Sequence, residues 1–177
     1  MLLDGEGGDM TTTDLTAVLR AAMQAERDGF SFYSMAAKGS DDPGAQETFR
    51  RLAEEEKNHY EMLQDGYRTL LQGEAWDPST EFTARAETEG GGIFSEDFVR
   101  RIGGKHFEMS ALSIGILLEK NAYEFYARQA AEAEDEAIAS FFRELAEWEN
   151  EHYRLLLRQD EAIKEEYWNE NRFAPLL

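Results

Sequence analysis

The sequence predicts an all-α fold, a four-helix bundle made of two helical hairpins joined by one long crossover. Three observations lead there. Apolar residues recur at helical spacing through four long stretches that break at Gly and Pro, and continuous Val/Ile/Thr-rich runs are lacking. The chain also repeats itself at an offset of 93 residues, pairing Phe49 with Phe142, Arg50 with Arg143, Leu52 with Leu145, Ala53 with Ala146 and Leu63 with Leu156. The same offset pairs Glu26 with Glu119, Phe32 with Phe125, Tyr33 with Tyr126, and Glu56-x-x-His59-Tyr60 with Glu149-x-x-His152-Tyr153. Each half therefore carries a lone Glu thirty residues ahead of a Glu-x-x-His, both on an apolar stripe.

Residues 1–10, acidic and Gly-rich, read as a mobile tail, and the bundle is expected over residues 11–166. Thr11 to Thr13 offer N-caps and Asp14 complements the first turn. Leu15, Leu19, Ala22, Glu26, Phe30, Tyr33 and Ala37 then recur at helical spacing until Gly39 stops the first helix. Asp41-Asp42-Pro43 supplies a cap followed by Pro at the first helical position. The second helix presents Phe49, Leu52, Ala53, Glu56, His59, Tyr60, Leu63, Tyr67 and Leu70, and ends near Gln72-Gly73. Residues 73–109 break the pattern with Gly73, Pro78 and Gly90-Gly91-Gly92 and form the crossover, which encloses a short helix predicted from Ser95 to Ile102. His106 lies in that crossover without a matching carboxylate pattern and reads as structural or exposed. The third helix, starting after Ser110, presents Leu112, Ile116, Glu119, Ala122, Tyr123, Tyr126 and Ala130. The fourth, from about Glu134, presents Ile138, Phe142, Leu145, Ala146, Glu149, His152, Tyr153 and Leu156. Residues 167–177 form a C-terminal extension, read either as a short extra helix or as a segment docked on a partner.

These positions converge. Glu26 lies about twelve residues before the first helix ends and Glu56 about thirteen after the second begins. In an antiparallel hairpin they meet at one level, roughly 18–20 Å from the turn at 1.5 Å per residue. Glu119 and Glu149 are balanced about the second turn in the same way. A crossover of 37 residues spans a helix of about 45 Å with ease at roughly 3.3 Å per extended residue. It thus permits the second and third helices to run parallel.

Composition narrows the function classes. Thirty-seven acidic against 18 basic residues leave a formal charge of −19, which repels the phosphates of nucleic acids and anionic membranes. The absence of cysteine removes disulfides, iron–sulfur clusters and thiolate metal sites from these residues, so redox chemistry here must use nitrogen and oxygen ligands. No basic segment precedes an apolar run at the amino terminus, and no apolar run approaches membrane-spanning length, so a soluble cytoplasmic protein is expected.

Four glutamates facing inward at one level repel one another and lose hydration, at several kcal/mol per buried ion. Unless they protonate, cations must sit among them. Two divalent metals balance four carboxylates and leave both imidazoles neutral as nitrogen donors, and bridging carboxylates can hold two metals a few ångström apart. The candidate ligands are Glu26, Glu56, His59, Glu119, Glu149 and His152. A Glu from each of two helices with Glu-x-x-His from the other two is the pattern of ferritin-like di-iron and di-manganese bundles. In so acidic a chain a single Glu-x-x-His carries little weight; two in register, with two further stripe-breaking glutamates, carry much more. Phe32, Phe49, Phe125 and Phe142 read as packing. Glu54, Glu55, Glu144, Glu147 and Glu151 read as a solvated face, except that Glu55 or Glu151 could orient a ligand from outside.

Together with Ala111-Leu112-Ser113-Ile114-Gly115 ahead of Glu119, these motifs resemble the rubrerythrin-like branch of the ferritin-like superfamily over roughly residues 12–160. The resemblance implies a ferritin-like four-helix bundle in which the six candidate ligands bind two iron ions, with manganese or mixed pairs as alternatives. It further implies that Tyr33 and Tyr126 place hydroxyls behind the glutamates. The implied activity is that of a di-iron carboxylate oxidoreductase reducing hydrogen peroxide or dioxygen in oxidative-stress defence. Its implied partners are an external electron-donor protein and further copies of itself, in a homodimer or larger homo-oligomer. Two departures stand out. Ala122 occupies the position, one turn after Glu119, where rubrerythrins carry an extra ligand Glu, and a chain without cysteine holds no rubredoxin domain. The first makes the ligand set symmetric, as in bacterioferritin-like sites, so ferroxidase and iron-handling activity is the alternative reading. A third is a non-catalytic helical scaffold with protonated or salt-bridged carboxylates; the lack of Lys or Arg on the four stripes argues against it.

Overall fold

In the computed structural model, which describes residues 12–78 and 106–170, four α-helices form two hairpins. Helix α1 (Thr12–Gly39) pairs with α2 (Pro43–Leu71), and α3 (His106–Glu132) pairs with α4 (Glu136–Glu170). The tail over residues 1–10, the short helix predicted from Ser95 to Ile102 and residues 171–177 lie outside the described residues.

The helix ends follow from local chemistry. Asp14 sits in the first turn of α1 and Lys38 in its last, each complementing the helix dipole. The Asp42 carboxylate accepts hydrogen bonds from the backbone N–H of Gly44 at 2.9 Å and of Ala45 at 3.1 Å, with Pro43 at the first position of α2. Asp135 caps α4 in the same manner, accepting from Ala137 at 2.8 Å and Ile138 at 3.1 Å. After α2, Gly73 adopts φ +76°, a left-handed conformation that costs glycine little. Trp76 then folds back onto α2, where Gly66 leaves room for its indole, and meets the Phe141 ring edge-on at 4.8 Å.

Two boundaries differ from those expected. Helix α3 begins at His106 rather than after Ser110, so His106 belongs to its first turn and not to the crossover. Glu108, buried in that turn, accepts from Ser40 Oγ at 2.8 Å and from the Asp41 N–H at 3.3 Å. Phe107 lies against Gly39, where a β-carbon would come within 2.5 Å of the ring. The start of α3 is thus held by the α1–α2 loop, a long-range contact that sequence periodicity does not register. Helix α4 runs on through residue 166 to Glu170 without a break. Leu156, Asp160 and Ile163 are buried at helical spacing and carry its inner face past the last predicted stripe position.

Helix directions follow from cross-hairpin contacts. Tyr33 of α1 meets Glu119 of α3 while Tyr126 meets Glu26, so α1 and α3 are antiparallel. His59 of α2 meets Glu149 of α4 while Glu55 meets His152, so α2 and α4 are antiparallel too. Helices α2 and α3 therefore run parallel, as the long crossover allows.

The apolar core is divided into two clusters related by the 93-residue offset. One joins Tyr33, Phe49, Leu52, Ala53, Leu112 and Leu156; the other joins Tyr126, Phe142, Leu145, Ala146, Leu19 and Leu63. Their aromatic geometry repeats: Tyr33 stacks on Phe49 with centroids 6.2 Å apart at 17°, and Tyr126 on Phe142 at 6.1 Å and 18°. Phe30 and Tyr123, expected on the inner stripes, lie at the rim with 38% and 36% exposure, again as an offset-related pair. Between the two clusters lies the polar layer that contains Glu26, Glu56, Glu119 and Glu149. Asp42→Ala should lower the unfolding free energy by about 1 kcal/mol through loss of the cap, measured by denaturant titration of the metal-free chain; an unchanged midpoint and slope would contradict this role.

Candidate metal centre

One turn from each helix supplies the polar layer: Glu26 from α1, Glu56 and His59 from α2, Glu119 from α3, Glu149 and His152 from α4. All six side chains are buried, none more than 5% exposed. The spacing explains why: Glu and His three residues apart lie on the same face one turn apart, and that face points between the two apolar clusters. The six residues predicted from the sequence thus come together.

They form two groups with shared members. Ligand-capable atoms of Glu26, Glu56, His59 and Glu149 all lie within 4.8 Å of one another, and so do those of Glu56, Glu119, Glu149 and His152. Glu56 and Glu149, the glutamates of the two Glu-x-x-His motifs, belong to both groups. Each group adds one terminal Glu and one His of its own. His59 turns Nδ1 toward the layer, 2.9 Å from Glu149 Oε1 and 3.4 Å from Glu26 Oε2. His152 does likewise, with Nδ1 3.5 Å from Glu119 Oε2 and 3.7 Å from Glu149 Oε2.

Despite these close approaches, several of the atoms make no hydrogen bond of acceptable geometry: Glu26 Oε2, Glu119 Oε2, both Glu149 oxygens, His59 Nδ1 and His152 Nδ1. Buried polar atoms are normally satisfied, and six unsatisfied ligand atoms converging on one layer fit a pair of cations. Among the described residues the ion-pair contacts of these carboxylates are to His59 and His152, with no Lys or Arg taking part.

Tyr33 and Tyr126 stand behind the terminal glutamates, each on the helix opposite its partner. The Tyr33 hydroxyl donates to Glu119 and the Tyr126 hydroxyl to Glu26, tying α1 to α3 twice. Burial first, and then the surrounding carboxylates, raise both phenols well above their usual range, so they remain neutral donors. Gly115 makes room for one of these links, since a β-carbon there would lie 3.1 Å from the Tyr33 oxygen. Its counterpart, Ala22, is fully buried in the other half. Gly29 is a second close approach, with the Glu56 carboxylate 3.1 Å from where its β-carbon would be; the equivalent position is Ala122.

Without cations the layer must hold protons. Burial and the charges of Glu149, Glu26 and Glu119 push Glu56 well above the carboxylate range. Burial, then Glu149, brings Glu119 up to about 8 despite the opposing effect of His152. Burial also works to raise Glu149, but His59 and His152 outweigh it and keep that carboxylate ionised. Burial would lower both imidazoles, yet Glu149 and Glu26 carry His59 up to about 9, while Glu119, Glu149 and Glu55 raise His152 well above its usual value.

Two outer contacts complete the centre. Glu55 of α2 places Oε2 2.6 Å from His152 Nε2, the outward-orienting role open to it in the sequence, whereas Glu151 is exposed. Trp148 of α4 stacks on His59 with centroids 5.0 Å apart at 10°. The sequence signals Trp148 only through the offset, which equates it with Glu55.

A protein-family model described as Rubrerythrin matches residues 17–160, which span all six inward residues and both tyrosines. No curated protein and no solved structure shows a significant match to the chain.

The proton balance has a measurable sign. Glu119, raised to about 8, and His59, raised to about 9, hold protons at pH 7 that a cation must displace, and Glu56 and His152 are shifted in the same direction. Affinity for divalent metal should therefore increase as pH rises from 6 to 9, with protons released on binding. Calorimetric titration in buffers of different ionisation enthalpy measures the release; affinity independent of pH over that range would contradict the assignment.

Proposed function

The chain belongs to the rubrerythrin family, and we propose that it is a di-iron carboxylate oxidoreductase that reduces hydrogen peroxide, or dioxygen, with electrons from an external donor protein. The observation carrying this reading is the pair of four-residue groups that share Glu56 and Glu149. Two glutamates common to both groups suit two metals held close together, the arrangement used in two-metal chemistry. The proposed setting is oxidative-stress defence in the cytoplasm, by a homodimer or larger homo-oligomer. Among the described residues no helix is long and apolar enough to cross a membrane.

Reduction of one hydrogen peroxide to two waters takes two electrons and two protons. Two ferrous ions, when bound, supply one electron each, and the donor protein restores them. The chain's own residues set the conditions for this. Glu26 with His59 and Glu119 with His152 supply the terminal donors, while Glu56 and Glu149 serve both positions. The Tyr126 and Tyr33 hydroxyls fix the orientation of Glu26 and Glu119, leaving one oxygen of each turned to the layer. The apolar clusters on either side limit water around the centre. No cysteine in these residues can carry a thiolate-bound iron, and the electrons are proposed to come from a donor protein.

One observation favours a second reading, in which ferrous iron is the substrate of a ferroxidase or iron-handling protein. Ala122 follows Glu119 by one turn without adding a carboxylate, so each group has the same composition, one terminal Glu and one His. Rapid mixing of the diferrous protein with hydrogen peroxide and, separately, with dioxygen distinguishes the two. Peroxide should oxidise both irons faster, with the iron retained; faster reaction with dioxygen accompanied by loss of ferric iron would reject the peroxidase reading. Replacing both Glu56 and Glu149 by Ala should abolish stoichiometric iron binding, and retention of two irons per chain would refute the shared-ligand assignment.

A further inference from the structure

The internal duplication breaks at the pair of positions that meet the two inward histidines from the opposite helix. Where the first half has Glu55 the second has Trp148. Both reach across from one Glu-x-x-His helix to the histidine of the other, but they do different things there. Glu55 Oε2 sits 2.6 Å from His152 Nε2, on the far side of the ring from Nδ1. Arg51 Nε lies 4.0 Å from the other Glu55 oxygen. Trp148 instead lays its ring parallel to that of His59. The carboxylates that meet His59 among the described residues, Glu26 and Glu149, do so at Nδ1.

A carboxylate on the outer nitrogen of a ligand imidazole fixes the tautomer and the ring orientation and makes the inner nitrogen a stronger donor. With Nε2–H donated to Glu55, His152 presents the Nδ1 lone pair to the layer. A stacked indole restrains the plane of His59 but brings no negative charge to its edge. The remaining ligands do not distinguish the two positions: Glu56 and Glu149 are common to both, and each position adds one Glu and one His. Both terminal glutamates also accept from a tyrosine.

We infer that the two metal positions are inequivalent, that the one formed by Glu119 and His152 binds more tightly and fills first, and that Glu55 is the positioning residue responsible. This rests on the reading of the centre as a two-metal site. Cobalt(II), which is redox-stable in air with oxygen and nitrogen ligands, is the probe. At one equivalent per chain, anomalous scattering from crystals should place the ion chiefly beside Glu119 and His152, with affinity about 10- to 100-fold above the other position. Glu55→Ala should remove most of that preference while the chain still takes up two ions at saturation. Trp148→Glu, which gives His59 the carboxylate that His152 already has, should bring the occupancies toward equality. Equal occupancy in the unaltered chain would overturn the inference, as would a preference that survives Glu55→Ala undiminished. Failure of the unaltered chain to bind two ions at saturation would overturn the two-metal reading itself, and the inference with it; the saturation count separates the two failures.

Discussion

Burying four carboxylates in one layer of a helical bundle is the constraint on which the rest of this structure depends. Each buried ion costs several kcal/mol, and Glu26, Glu56, Glu119 and Glu149 are all shielded from solvent. The two tyrosine hydroxyls return roughly 1.5–3 kcal/mol each as hydrogen bonds to charged groups, too little to offset the burial of four ionised carboxylates, so without cations Glu56 and Glu119 are pushed toward their protonated forms. The imidazoles help only by taking up protons. A pair of divalent cations removes the imbalance in one step, and the unsatisfied ligand atoms of the layer face the place where they would sit. The layer is therefore suited to hold cations, which would complete its stability.

The fold holds that layer by repetition. Two hairpins of the same design meet head to tail, so each apolar cluster combines the turn end of one hairpin with the open end of the other. Tyr33 and Tyr126 belong to these clusters and also reach the layer, coupling packing directly to ligand orientation. Backbone contact between the hairpins is concentrated where α1 meets α3. Helices α2 and α4 are linked across the centre by the longer side chains of Glu55, His59, Trp148, Glu149 and His152. The Glu-x-x-His helices thus face each other across the layer while the lone-Glu helices close it.

Much of this was legible in the sequence because duplication turns a weak motif into a strong one. Glu56-x-x-His59 on its own would pass as chance in so acidic a chain; its recurrence at Glu149-x-x-His152, with Glu26 and Glu119 in step, gave the layer and its level in the bundle. What the pattern missed were contacts between residues distant in sequence and unrelated by the offset. Glu108, docked on Ser40 and Asp41, starts α3 earlier than its apolar stripe indicates. The continuation of α4 rests on the burial of Asp160 and Ile163, one of them a polar residue that a hydrophobic pattern discounts. The crossed pairing of each tyrosine with the glutamate of the other half required knowing that α1 and α3 are antiparallel neighbours. Glu55 was visible as an option, but nothing in the sequence separated it from other acids on a solvated face.

In the proposed centre, Glu56 and Glu149 are held in common by two metals. X-ray absorption spectroscopy of the iron-loaded chain addresses it most directly. An iron–iron scattering path of roughly 3.5–4 Å is expected, with only oxygen and nitrogen in the nearest shell. A nearest shell without any iron–iron path at two irons per chain would show that the ions occupy separate sites, and would contradict it.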